Sequence, residues 1–403
     1  MRKVPKLRFK EFSDEWQEKK LGEITKITAG GTPSTTKIEY WNGNIKWMNS
    51  GELNLKYVYE VQGRITEEGL KNSSTKLIPK NCVLIGLAGQ GKTRGTVAIN
   101  FIELCTNQSI ASILPNYQSF IPLFLYFNLD NRYEELRGLS TGGGGRGGLN
   151  LGILNSLTSN FPSLQEQEKI ANFLSSIDKK ISLIEEKLAL FREYKKGIMQ
   201  KIFSQELRFK DSDGNDYPEW EEKRLGDILI KNKEKNKNNQ YILVQSISNK
   251  YGFVNQEEYF EDRKIASNNL SNYYIVKNKN FAYNPSRINV GSLAYKKDFS
   301  ISVISPLYVS FYADNIYVND IFLLNWFFSL PFYKQMSSSF EGSVRNNLSY
   351  DTLSNFNILL PVLEEQQKIA DFLSSIDSKI ENIEKELEGL KEYKKGLLQQ
   401  MLV

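Results

Sequence analysis

No histidine occurs anywhere in the 403 residues. Its absence excludes Ser-His-Asp and Cys-His catalysis and every metal site built on imidazole, the side chain that most often moves protons near neutral pH. Only two cysteines, Cys82 and Cys105, are present, too few for a disulfide framework or a thiolate zinc site. No apolar run reaches the length of a membrane span, and the opening MRKVPKLRFKEF has no apolar signal region. A soluble, cytoplasmic protein is the expectation. A net charge of +5 permits a polyanionic partner without requiring one. What the chain does have is apolar material, 40% with 12% aromatic, enough for the cores of two or three domains.

One stretch occurs twice. Leu164–Phe203 reads LQEQEKIANFLSSIDKKISLIEEKLALFREYKKGIMQKIF, and Leu363–Leu402 repeats it at a constant offset with more than half of its positions identical. Apolar residues fall at Ile170, Leu174, Ile177, Ile181, Ile184, Leu188, Phe191, Ile198 and Ile202. They alternate by four and three, broken only where Lys195 fills a slot. The second copy has Ile369, Leu373, Ile376, Ile380, Ile383, Leu387, Leu390, Leu397 and Met401, with Lys394 in the same gap. A period near 3.5 sustained over about five heptads predicts a coiled-coil seam on a helix on the order of 55 Å long. Two equal seams in one chain can bury each other, so antiparallel intramolecular pairing is expected; a helical hairpin within one core, or dimerisation with another chain, is the alternative.

The repeat extends upstream. Leu7-Arg8-Phe9-Lys10 recurs as Leu207-Arg208-Phe209-Lys210, and Trp16–Ile24 (WQEKKLGEI) as Trp220–Ile228 (WEEKRLGDI). Between these marks and the helices the copies diverge, over residues 25–160 and 229–359. There the β-branched and aromatic runs Cys82–Leu87, Gly95–Phe101, Ser109–Leu114, Tyr241–Ile247 and Ser300–Ile304 read as strands, and Pro122–Leu136 and Ile321–Met336 as helices. The fold class is therefore α+β: a tandem pseudo-dimer of two mixed α/β bodies separated by two long helices.

Ahead of each helix the copies agree again. Ser140, Gly143, Arg146, Leu149, Leu154 and Pro162 answer to Ser339, Gly342, Arg345, Leu348, Leu353 and Pro361. An arginine kept in a loop whose neighbours have changed suits a phosphate or a base edge; a helix-capping loop with a local ion pair is the alternative. Gly86–Thr93 (GLAGQGKT) satisfies the phosphate-loop pattern G-x-x-x-x-G-K-[ST]. The next segment, Arg94–Ile99, is Gly-broken and β-branched, however, where a nucleotide site needs a helix. The second copy has Asn284-Pro-Ser-Arg287 instead, and no Asn-Pro-Pro-aromatic methyltransferase motif or metal-nuclease carboxylate cluster is found.

Two variable bodies, each followed by P-x-L-x-E-Q-x-K-I-A-x-F-L-S-S-I-D (Pro162–Asp178 and Pro361–Asp377) and a long helix, resemble the specificity subunit of a type I restriction–modification enzyme. The Trp…LG[ED]I starts and the strip Gly30-Gly-Thr-Pro-Ser34 with Trp41 and Trp47 carry the same resemblance, which covers essentially the whole chain. It implies target-recognition domains at 1–163 and 205–362, each reading half of a split duplex DNA site, with spacer helices at 164–204 and 363–403. It implies as partners double-stranded DNA, two methyltransferase subunits that the helices help to dock, and motor–nuclease restriction subunits. No catalysis and no cofactor are expected on this chain; S-adenosylmethionine, ATP and Mg belong to the partners. The family pattern leaves the base-reading residues open. The residues expected at DNA are Arg146 and Arg345 with Gly143, Gly342, Asn346 and Asn347 beside them, Lys92, Arg94 and Arg287, and Thr32 and Ser34 of the strip. Readings from other classes are a coiled-coil scaffold that binds protein, and an NTPase working through Gly86–Thr93.

Overall fold

The computed structural model describes residues 4–89, 92–139, 148–259, 269–340 and 347–402. The long helices span Leu164–Phe203 and Leu363–Met401. Two compact units divide the chain, Met1–Glu185 with Lys385–Val403, and Glu186–Glu384, so each unit holds a body and a stretch of both helices. None of the described helices is long and apolar enough to cross a membrane.

The helices run antiparallel within each unit. In the first, Asp178 meets Lys394 and Glu185 meets Lys391, both at 2.5 Å. In the second, Arg192 meets Glu384 at 2.5 Å and Lys195 meets Asp377 at 2.6 Å. The lysine that interrupts each apolar seam is thus placed to pair with the aspartate of the other helix's LSSID segment. Around these pairs the seams close: Ile170, Leu174 and Ile177 bury with Leu397, Leu398 and Met401, and Ile369, Leu373 and Ile376 with Met199, Ile202 and Phe203. In the first unit Tyr57 also donates to Asp178 at 2.6 Å, tying body to helix, and burial pushes that phenol up in pKa.

The repeated motifs are the joints between helix and body. Glu166 and Glu365, both buried, accept hydrogen bonds from Arg8 (2.7 and 2.8 Å) and Arg208 (3.3 and 2.9 Å) of the LRFK segments. Gln167 accepts from the Ile121 amide and donates to the Pro162 carbonyl, at 2.9 and 2.8 Å. Gln366 does the same with Asn319 and Pro361, at 2.8 and 2.9 Å. Each glutamine therefore satisfies an orphan amide at the start of the body's own helix. Trp16 and Trp220 pack edge-on against Phe124 and Phe322, with centroids 5.7 and 6.0 Å apart.

The first body is built on a five-stranded sheet in the order Ile27–Ala29, Ile110–Ile113, Val83–Gly86, Val97–Asn100, Tyr57–Val58, antiparallel except for the last pair. The second body keeps four strands in the same order, Leu229–Lys231, Val309–Ala313, Phe281–Tyr283 and Leu293–Tyr295, all antiparallel. Beside the helix, Gln17–Lys20 pairs with Thr158–Phe161, and Glu221–Arg224 with Asn357–Leu360. Three expectations need correction. Pro122–Leu136 is two helices, Pro122–Asn131 and Tyr133–Gly138, and Ile321–Met336 is likewise split into Asp320–Trp326 and Leu330–Phe340. Pro331 cannot donate a backbone hydrogen bond, so it sits in a fresh first turn rather than inside a continuous helix. In the Tyr241–Ile247 run only the end is strand, Gln245–Ser248.

Both cysteines are buried, and burial alone pushes the Cys82 thiol up to about 12; Cys105 is pushed up to about 11, chiefly by the same cause. Because the thiolate is the reactive form, a thiol reagent at pH 8 should label neither until the first unit unfolds. Titration with and without denaturant checks this; fast labelling of the native chain would contradict it.

Candidate nucleic-acid interface

An antiparallel sheet gathers alternate loops at each end. In the first unit Ile27–Ala29 and Val83–Gly86 leave, and Val97–Asn100 and Ile110–Ile113 enter, at one end. That end carries the Gly30–Ser34 strip, the loop from Leu87 to Thr96, and the turn Asn107–Ser109. They touch one another: the Gly30 amide donates to the Ile110 carbonyl at 3.3 Å and the Leu87 amide to the Ser109 carbonyl at 2.8 Å.

The strip is held rigidly. A Cβ on Gly30 would stand 2.0 Å from the Thr106 carbonyl oxygen, and one on Gly31 2.2 Å from Ser74 Oγ, so only glycine fits this close approach. Trp47 donates its indole N–H to the Gly31 carbonyl at 3.0 Å and Trp41 to the Ser34 carbonyl at 3.1 Å. The two indoles meet edge to face at 5.1 Å. Thr32 donates its hydroxyl to Gln108 Oε1 at 2.5 Å, and Ser34 lies 2.9 Å from the Thr36 hydroxyl. The sequence marked Thr32 and Ser34 but not Gln108, which lies far along the chain.

In the neighbouring loop Lys92 is exposed, while its carbonyl accepts from Tyr133 at 3.0 Å and Thr96 at 2.6 Å. Arg94 is half-buried and already engaged, so among the described residues of this loop Lys92 is the exposed cation. Gly95 turns the chain at φ +78°, close against Tyr133 and Arg137. Beyond Thr93 the chain makes this turn and enters the strand Val97–Asn100, antiparallel to Val83–Gly86. The phosphate-loop reading of Gly86–Thr93 is overturned, because no helix N-terminus stands behind Lys92 to face a phosphate. A Cβ on Gly148 would lie 3.1 Å from the Leu87 carbonyl oxygen, so the end of the Gly/Arg loop reaches this same place. Arg146 and Gly143 lie outside the described residues.

The second unit repeats the arrangement with other residues. The Asn284–Ser292 loop closes through the Asn284 amide and the Ser292 carbonyl at 3.0 Å, with Arg287 exposed upon it. The Leu348 amide donates to the Pro285 carbonyl at 3.0 Å, which sets exposed Asn347 beside that loop. Arg345, Gly342 and Asn346 lie outside the described residues. At the same end Lys231 rests over the Tyr350 ring, 5.0 Å from its centroid. Among the described residues no group of three or more Cys, Asp or Glu could hold a metal ion. The geometry offers cations, amides and hydroxyls on braced loops. These are the kinds of group by which proteins meet phosphates and base edges.

The model of the type I restriction–modification DNA specificity domain matches the chain twice, at residues 13–190 and 217–392. The specificity subunit of the type I restriction enzyme MjaIX of Methanocaldococcus jannaschii is 27% identical, over 96% of this chain and 93% of its own. That of EcoR124I/EcoR124II from Escherichia coli is 33% identical over 43% of each chain. Among solved structures, the S subunit of a type I restriction–modification system from M. genitalium superposes with a TM-score of 0.60 at 16% identity, covering 99% of both chains. A chain from a study of complex assembly and conformational transition of the type I R-M system gives 0.57 at 14% identity, covering 96% of this chain and 97% of that one.

Proposed function

From the premise that this chain belongs to the type I restriction–modification specificity-subunit family, we propose that its two bodies each read one half of a bipartite, asymmetric duplex site. As a member of that family it is the non-catalytic DNA-recognition component of its complex. In this reading residues 1–163 and 205–362 are the recognition domains. The helices, 164–204 and 363–403, set the gap between half-sites and help to dock two methyltransferase subunits, which motor–nuclease subunits join. S-adenosylmethionine, ATP and Mg are then held by those partners, and the assembly works on DNA in the cytoplasm. One observation carries this: in both units the loops at the same end of sheets with a shared strand order gather cationic and amide side chains, and the side chains they present differ between the copies. Shared frames with different loops suit a shared task on different sequences.

The test is sequence-dependent duplex binding by the chain mixed with its methyltransferase partner; no preference for any duplex would defeat the proposal in favour of a protein scaffold. Within it, Lys92 and Arg287 act on phosphates. Lys92→Ala or Arg287→Ala should weaken binding across all sequences and reduce the slope of log K against log salt by roughly one, the share of a single phosphate contact. A salt titration that leaves the slope unaltered in either variant would remove that residue from the interface.

A further inference from the structure

We propose that the turn entering the second strand of each body's main sheet is a base-reading element, with Gln108 reading an adenine for the first unit and Leu307 meeting the 5-methyl group of a thymine for the second. The inference rests on the DNA-reading function proposed above and names residues that carry its specificity.

The two turns are built alike. Asn107 accepts from the Ser109 amide through Oδ1 at 3.1 Å and from the Ile110 amide through its carbonyl at 3.2 Å. Ser305 accepts from the Leu307 amide through Oγ at 3.3 Å and from the Tyr308 amide through its carbonyl at 3.0 Å. Side chain and carbonyl together lock each backbone. Each turn leads into the strand that lies between two others of the main sheet, Ile110–Ile113 or Val309–Ala313. Each lies at the sheet end that also carries Lys92 or Arg287. With the backbone fixed in both, the side chains that the turns carry differ: Gln108 and Ser109 in the first, Pro306 and Leu307 in the second.

Gln108 is exposed, and among the described residues its one hydrogen bond is the 2.5 Å bond accepted at Oε1 from Thr32. A carboxamide oxygen has two lone pairs, so Oε1 keeps one, and Nε2 keeps both hydrogens. Acceptor and donor then stand side by side, the pair that meets N6–H and N7 of adenine in the major groove. Thr32 belongs to the strip fixed by Trp41 and Trp47, so the orientation of the amide is set before DNA arrives. That removes part of the ordering cost of binding. Thr32 is on this account a positioning residue rather than a DNA contact. Leu307 is 81% exposed at the tip of the other turn. Exposed leucines are ordinary on protein surfaces; this one lies in the matching turn, one position beyond the place of Gln108, which Pro306 fills, and apolar contact is how a side chain recognises the thymine methyl.

The experiment selects bound duplexes from a random-sequence library with the chain assembled with its methyltransferase partner. Gln108→Ala should relax the preference for adenine at one position of one half-site by roughly 5- to 140-fold, the equivalent of about 1–3 kcal/mol. The other half-site should be unchanged. Leu307→Ala should relax a thymine in that other half-site only. Thr32→Val should relax the same position as Gln108→Ala, and Thr32→Ser should restore it, a rescue that a purely structural role for Thr32 does not predict. Because Gln108 and Leu307 are exposed, thermal melts of their variants should match the parent. A parent complex that enriches no sequence would overturn the DNA-reading function, and this inference with it. A parent that enriches two half-sites, with Gln108→Ala giving the same preferences, would overturn this inference alone. So would relaxation at a guanine, or both variants acting in one half-site.

Discussion

Replacing Arg208 by alanine should destabilise the second unit by about 3–5 kcal/mol, the cost of leaving a buried charge without its partner. The Glu365 side chain is fully buried, and its carboxylate accepts from Arg208 at 3.3 and 2.9 Å and from the Trp220 indole at 3.1 Å. Without the guanidinium, one indole N–H is left to compensate a full negative charge out of water. Arg208 also donates to the Pro218 carbonyl at 2.6 Å, so the Leu207–Lys210 segment would lose this tie together with its ion pair to the long helix. The effect comes from the unpaired charge, not from net attraction in the pair. The double variant Arg208→Met, Glu365→Gln should therefore recover more than half of the loss, the glutamine oxygen still accepting from Trp220. Denaturant unfolding followed by tryptophan fluorescence measures this, since Trp220 and Trp326 are the indoles of the second unit. A loss below about 1 kcal/mol for Arg208→Ala, or a double variant no better than the single, would show that the pair is not isolated from water. Arg8 and buried Glu166 make the equivalent joint in the first unit, and Arg8→Ala should act there in the same way.

That joint shows where the sequence was readable and where it was not. The repeated E-Q and LRFK segments are plain in the chain, but their meeting is a tertiary fact, because Arg208 and Glu365 are separated by an entire body. The helices were legible because their signal is local: apolar positions every three or four residues, sustained for ten turns. The interruptions at Lys195 and Lys394 were visible as matching gaps in the two copies, but their reason is tertiary, since each pairs with Asp377 or Asp178 of the opposite helix.

In the bodies the strands Val83–Gly86, Val97–Asn100 and Ile110–Ile113 lie inside runs marked as β-branched. Their order was hidden, because Ile27–Ala29 pairs with Ile110–Ile113 across most of a domain. The candidate interface suffered for the same reason. Thr32 could be picked out by its neighbours Gly30, Gly31 and Trp41, yet Gln108 joins it only once the sheet is folded. Lys92 falls in a phosphate-loop pattern that the antiparallel strand after it overturns; its exposure at the loop end of the sheet is what places it in the proposed interface.

Exchanging one body and lengthening the helices should have separable effects on the DNA that is recognised. Divergence between the copies is concentrated in residues 25–160 and 229–359, while the helices keep their seams position by position. A foreign body grafted between Ile228 and Pro361 should therefore change one half-site completely and leave the other half and the gap intact. Both graft points lie at preserved joints, since Leu225–Ile228 is a helical turn common to both copies and Pro361 receives the Gln366 hydrogen bond. Adding one heptad to each helix, after Lys187 and after Glu386, preserves the phase of the seam and adds about 10 Å of spacer at 1.5 Å per residue. At 3.4 Å per base pair the preferred gap should grow by about three base pairs. Those three pairs also rotate one half-site by roughly a quarter turn around the duplex, so binding should weaken even as the preference moves. The informative quantity is accordingly the preferred gap and not the affinity, read by mapping methylated sites in cells that carry each variant with its partner subunits. A graft that altered both half-sites would show that the bodies do not read independently. A lengthened spacer that kept the original gap would show that something other than the helices sets the distance.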